Sequence, residues 1–72
     1  MIEIFKTNVI FENEAKRLIS VLNSHLAKHR INFDLEDCDK ILRVENRNGS
    51  IETSLIENIL CKEGYFCEVI PG

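Results

Sequence analysis

The segment from Ile31 to Asn46 constrains the fold of this chain more than any other, because it alternates as two β-strands do. Its apolar residues take every second position on either side of an acidic turn: Ile31, Phe33 and Leu35 before it, Leu42 and Val44 after it. Successive side chains of a strand point to opposite faces, so strict alternation is typical of a half-buried strand. The segment therefore predicts a β-hairpin whose second face carries Asn32, Asp34, Glu36, Ile41, Arg43 and Glu45.

Two helical patterns flank this hairpin. The first runs from about Glu12 to Arg30, and its apolar residues share one face at helical spacing: Ala15, Leu18, Ile19, Leu22 and Leu26. The second follows Ser50, a suitable N-cap, and closes at Gly64, which we expect in a left-handed conformation. Its buried stripe is predicted to contain Ile51, Leu55, Ile56, Ile59 and Leu60.

Short strands at the two ends of the chain complete the predicted order of elements. They are expected at Ile2 to Lys6 and at Tyr65 to Ile70, which gives β-α-β-β-α-β. With right-handed crossovers, this order predicts an α+β ferredoxin-like sandwich with an antiparallel sheet of order 4-1-3-2. Both helices would cover one face of the sheet and leave the other face open.

Length and composition indicate one domain, residues 1–72, with a small core. The net charge of −3 disfavours nucleic acid, which binds basic surfaces. No apolar run is long enough for a membrane span, and the N-terminus lacks the pattern of a signal peptide. We therefore expect a cytoplasmic protein with three reduced thiols, at Cys38, Cys61 and Cys67.

The uncovered face of the sheet is the predicted interaction surface. If Ile2 and Ile4 point into the core, Phe5 points out, and the face would present Phe5, Ile41, Arg43, Phe66, Glu68 and Ile70. The surrounding charge would be mostly negative, from Glu3, Asp34, Glu36, Arg43, Glu45 and Glu68. An apolar centre within a charged rim is typical of a protein-binding patch. The expected partner is another protein or a second copy of this chain.

The layout resembles the heavy-metal-associated domain of copper chaperones and metal-pumping ATPases. The resemblance rests on the first strand, loop and helix, and on a second helix that ends at Gly64-Tyr65 before the strand Phe66-Cys67-Glu68-Val69. The hairpin segment is also similar to a set of short bacterial proteins of this fold with no assigned function. The resemblance implies the same ferredoxin-like fold over the whole chain.

The chain departs from that family in the loop that would hold the metal. The family binds a soft ion through two cysteines in a Met-x-Cys-x-x-Cys loop, since soft ligands select Cu(I). Here Thr7 to Glu14 contains no Cys, Met or His, and the ligand positions fall near Phe11 and Glu14. None of the family's metal ligands carries over, and no cofactor is predicted.

Weaker candidates give two alternative functions. His25 and His29, four residues apart on the predicted first helix, could be metal ligands, although zinc needs three or four. The loop after the first strand could serve a small-ligand sensor, because paired domains of this strand order can bind metabolites between them. The acidic residues Glu36, Asp37 and Asp39 are interpreted as a solvated turn. The sequence contains no recognisable catalytic set, so we do not expect an enzyme.

Overall fold

The structure, a computed structural model, describes residues 1–71, so Gly72 at the end of the predicted domain lies outside the described part. The elements follow the predicted order: β1 (Ile2–Thr7), α1 (Glu12–His25), β2 (Arg30–Asp34), β3 (Ile41–Glu45), α2 (Thr53–Lys62) and β4 (Cys67–Ile70). The four strands form one antiparallel sheet of order β2-β3-β1-β4. This confirms the α+β ferredoxin-like fold and the 4-1-3-2 strand order. Neither described helix is both long and apolar enough to cross a bilayer.

The hairpin has the predicted faces, but β1 has the opposite phase. Phe5 is fully buried, and it lies opposite Leu42 on β3 and Val69 on β4. Ile2 is 46% exposed. A shift of one residue moves every side chain of a strand to the other face. The prediction that Ile2 and Ile4 face the core while Phe5 faces out is therefore wrong.

The core lies between the sheet and the two helices. Phe5 packs there with side chains from both helices and the two central strands, including Leu22, Leu42, Val44, Ile56 and Leu60. An ion pair between Arg17 on α1 and Glu63 after α2 links the two helices at their solvent side. No buried side-chain nitrogen or oxygen atom lacks a hydrogen-bond partner among the residues that the structure describes.

Helix α1 is shorter than predicted, because it ends at His25 and not at Arg30. Leu26 leaves the helical conformation but stays buried, so the apolar stripe continues one residue beyond the helix. Lys28 then adopts a left-handed φ of 69°, and the chain turns back. The turn is needed because Arg30 already pairs with Glu45 across the hairpin.

Helix α2 begins at Thr53, three residues after the predicted cap at Ser50. The side-chain amide of Asn46 donates to the carbonyl of Ser50 at 2.9 Å, which holds this segment in the preceding loop. The far end of α2 is as predicted, since Gly64 has a φ of +93°. Gly64 N–H donates to Cys61 and Tyr65 N–H donates to Leu60, the pair of bonds that defines a Schellman motif.

Candidate interaction face

The face of the sheet opposite the helices carries alternate residues of all four strands. Residues directly opposite each other on paired strands point to the same side, so the strand pairing defines this open face: Ile2, Ile4, Lys6, Arg30, Asn32, Asp34, Ile41, Arg43, Glu45, Glu68 and Ile70. Four of the six residues predicted for the interaction surface lie on this face: Ile41, Arg43, Glu68 and Ile70. Of the other two, Phe5 lies in the core and Phe66 precedes β4.

Charge on the open face is balanced, in contrast to the mostly negative rim predicted from the sequence. The reversed phase of β1 removes Glu3, which pairs with the core residue Val44, and adds Lys6. Three cationic side chains therefore meet three carboxylates: Lys6, Arg30 and Arg43 against Asp34, Glu45 and Glu68. Lys6 lies opposite Glu68, and the guanidinium of Arg43 lies 4.0 Å from the carboxylate of Glu45.

Isoleucines form the apolar part of the open face. Ile4 lies on the central strand β1, directly opposite Ile70 on β4 and Arg43 on β3. Ile2 lies two residues from it on the same strand, and Ile41 lies diagonally across on β3. Together these four residues are called the isoleucine patch. Ile2 is exposed and the other three are partly exposed, so the patch is accessible from solvent.

Phe66 lies beside this face but not within the sheet. It precedes β4, which begins at Cys67 and not at Tyr65 as predicted, and it is 48% exposed. Its N–H donates to the side-chain oxygen of Asn8 at 2.8 Å. The strand is shorter than predicted because this backbone group bonds to a loop side chain.

The end of β1 and the loop after it are held to the hairpin turn by hydrogen bonds. Thr7 is buried, and its hydroxyl donates to the carbonyl of Lys40 at 2.5 Å and accepts the N–H of Val9 at 3.2 Å. Thr7 N–H donates to the carbonyl of Asp39 at 3.1 Å. With Asn8 bound to Phe66, the polar groups at the start of this loop hold the hairpin turn and the start of β4.

The two histidines do not share a helical face. His25 is the last residue of α1 and is exposed. His29 follows the turn at Lys28, and its Nδ1 lies 3.1 Å from the carbonyl oxygen of Ala27, to which a protonated Nδ1 donates. The prediction of an i, i+4 pair on the first helix is wrong because the helix ends between them.

The acidic turn brings potential ligand atoms of Asp37, Cys38 and Asp39 within 4.8 Å of one another. These groups already have partners of their own, since Asp37 accepts the N–H of Asp39 at 2.8 Å and Asp39 lies 3.8 Å from the ammonium group of Lys6. Lys40 closes the turn with a left-handed φ of 50°. The turn is thus ordered by its own side chains, as its Asp-rich sequence favours.

All three cysteines are free, and their environments differ. Cys38 and Cys61 are exposed, whereas Cys67 lies opposite Thr7 on the helix side of the sheet and is partly buried. Burial raises the pKa of the Cys67 thiol from its ordinary value of 9.0 to about 12, and the nearby carboxylate of Glu57 adds to the rise. The thiol of Cys67 is therefore protonated throughout the neutral range.

This raised pKa predicts a loss of stability at alkaline pH. Above pH 9 the unfolded thiol ionises while the folded thiol keeps its proton, so the free energy of unfolding falls until the folded pKa is passed. We expect wild type to lose about 1 kcal/mol more than Cys67→Ala between about pH 8 and about pH 10.5, allowing for partial solvent exposure. Urea titrations at each pH measure this difference. Cys61→Ala is the matched control and should follow wild type; equal slopes for wild type and Cys67→Ala would contradict the prediction.

A surface cleft lies between α1 and the outer edge of β2. Its volume is about 700 Å³, and its apolar lining includes Ile10, Phe11, Ile19, Phe33 and Leu35. Ile10 and Phe11 are each more than 60% exposed. The loop after β1, predicted as a ligand site, therefore contributes two apolar side chains to this cleft.

The carboxylates Glu12, Asp34 and Glu36 and the ammonium group of Lys16 supply the charged groups of this cleft. Its charge is thus predominantly negative, at the end of β2 where the acidic turn begins. A smaller cleft of about 430 Å³ lies between the helices and includes His25.

Comparison with known proteins found no match for the chain among family models, curated proteins or solved structures.

Proposed function

We propose that this chain is a non-catalytic interaction module that binds a folded polypeptide through the open face. The observation that supports this most is the isoleucine patch, which lies at the centre of a sheet face that no element of the described chain covers. Ile4 is at its centre, on β1, which is one of the two internal strands of the sheet. Isoleucine side chains surrounded by charged ones can pack against another surface but have no reactive group. The patch therefore supports a binding role over an enzymatic one.

Charge indicates the kind of partner. The open face carries three cationic side chains and three carboxylates, so its net charge is close to zero and it attracts neither strongly acidic nor strongly basic partners. A nucleic acid would need a cationic surface to release counterions. A polypeptide of mixed charge with apolar side chains at the centre of its contact complements this face better. We also propose a cytoplasmic location, supported by three free thiols, two of them exposed.

Site-specific photo-crosslinking tests this function. A photoreactive phenylalanine analogue replaces Ile4 in one variant and Ser20, on the solvent side of α1, in the matched control. In cells that make the protein, we expect a covalent adduct of defined mass with one polypeptide from position 4 and none from position 20.

The crosslinked polypeptide, once identified, is then titrated against purified protein. Ile70→Glu places a charge opposite Ile4 and should weaken this binding by about tenfold or more while the circular dichroism spectrum stays unchanged. Equal adduct yields at the two positions, or unchanged affinity for Ile70→Glu, would show that the open face is not the binding surface.

A further inference from the structure

The two edges of the sheet are protected to different degrees. At the β4 edge, Glu57 from α2 accepts the outward-facing N–H of Val69 at 2.9 Å. At the β2 edge, no hydrogen bond from outside the sheet reaches the backbone of residues 30–34 anywhere in residues 1–71. Proteins usually block exposed strand edges because their backbone groups can pair with another strand. The β4 edge is thus partly blocked by a side chain of α2, whereas the β2 edge is available.

The hydrogen-bond ladder shows which groups of β2 are available. Met1 and Asn46 exchange two backbone hydrogen bonds, of 2.7 and 2.8 Å. Bonded and non-bonded pairs alternate along antiparallel strands, so the register places Arg30, Asn32 and Asp34 in bonded pairs with β3. The N–H and C=O groups of the two residues between them, Ile31 and Phe33, therefore point away from the sheet.

We propose that β2 pairs antiparallel with β2 of a second copy of this chain, about a two-fold axis at Asn32. In this register Ile31 of each copy lies opposite Phe33 of the other. The N–H and C=O groups of these two residues, four groups per strand, then form hydrogen bonds with the same groups of the second copy. The two sheets would become one eight-stranded sheet with all helices on the same side. Phe33, partly exposed in the single chain, would be covered by the second copy's Ile31.

Charge specifies this register. Arg30 and Asp34 lie two residues on either side of Asn32 on the open face, and neither forms an ion pair within the described chain. In the self-paired strand, Arg30 of each copy lies opposite Asp34 of the other. Charged residues on an edge strand normally oppose pairing. Because these two have opposite signs at equal distances from Asn32, they oppose other registers and favour this one.

The cleft beside β2 extends this charge complementarity beyond the Arg30–Asp34 pair. Its acidic groups lie at the C-terminal end of β2, namely Glu12, Asp34 and Glu36. The segment at the other end of β2 is basic and reads Lys28-His29-Arg30. Antiparallel pairing brings the basic segment of each copy to the acidic cleft of the other, so the same attraction occurs twice, as an isologous dimer requires.

Charge exchange tests the interface. Light scattering and sedimentation over a range of concentrations should show a wild-type dimer. Arg30→Asp and Asp34→Arg each turn two attractive pairs into two repulsive ones, and each should raise the dissociation constant about tenfold or more. The double variant Arg30→Asp/Asp34→Arg restores both pairs in exchanged positions and should recover the dimer. Circular dichroism controls for folding, since both side chains are exposed.

The remaining outcomes distinguish this interface from others. Ile70→Glu, on the open face, should leave the dimer intact, so a failure of the proposed function would not affect this result. A monomeric wild type at millimolar concentration would overturn the proposal and leave the β2 edge for a foreign strand. A dimer that survives the single charge changes would place the contact elsewhere and would overturn it equally.

Discussion

Replacing Phe5 with alanine is expected to lower the urea concentration at the midpoint of unfolding far below that of wild type. Phe5 is fully buried on an internal strand and belongs to the core cluster formed by side chains of the sheet and of both helices. Truncating a buried phenylalanine costs about 3–5 kcal/mol through lost transfer free energy and the cavity left behind. A chain of 72 residues has a total stability of about 4–11 kcal/mol, so this one change removes a large part of it. Urea unfolding followed by circular dichroism measures the loss.

Ile4→Ala is the matched control for Phe5→Ala. Ile4 is adjacent on the same central strand and also lies opposite residues of β3 and β4, but its side chain is on the open face. Its truncation should cost about 1 kcal/mol or less. The reverse ranking, with Ile4→Ala the more damaging change, would mean that β1 has the phase first expected from the sequence and that Phe5 belongs to the open face.

The phase of β1 was not predictable from apolar alternation alone. The strand carries isoleucine at positions 2 and 4 and a single phenylalanine at position 5, so both faces look apolar over this short range. The signal that was missed lies further along. The phase of Ile2 and Ile4 would bury Lys6, whereas the phase of Phe5 continues to Thr7 and Val9, both buried. An uncompensated lysine in the core costs far more than a partly exposed isoleucine.

The hairpin was predictable because its alternation is compatible with only one assignment of side chains to the two faces of the sheet. Apart from Ile41, its polar and apolar residues separate between the two faces, so any slip would bury several charges. The same reasoning placed Ile41 and Arg43 correctly on the open face, with Glu68 and Ile70 from β4. These residues depend only on local alternation and on the order of elements, both of which the sequence carries.

The ends of the helices and the edge contacts depend on tertiary partners. Helix α1 could continue to Arg30 by propensity, but Arg30 is taken by its pairing with Glu45. Glu57 reaches the N–H of Val69 in β4, 12 residues away along the chain, and Asn8 reaches the N–H of Phe66, 58 residues away. No local pattern indicates such contacts, so the difference between the two sheet edges, on which the dimer proposal depends, could be found only in the structure.

Thr7→Val should destabilise the protein by about 2–3 kcal/mol, because it removes a hydroxyl with two partners and leaves both without one. The carbonyl of Lys40 would lose its donor and the N–H of Val9 would lose its acceptor, at a site that is 5% exposed. Valine has nearly the same shape, so the loss comes from the hydrogen bonds and not from a cavity. Urea unfolding gives the free energy.

Thr7→Ser separates the hydroxyl from the methyl group. It keeps both hydrogen bonds and should cost about 1 kcal/mol through lost packing. Amide exchange at Val9 should accelerate in Thr7→Val and stay slow in Thr7→Ser. If the two variants are equally stable, the loop is not held by the hydroxyl. The predicted difference would instead establish that the Thr7 hydroxyl holds the loop after β1 against the hairpin turn.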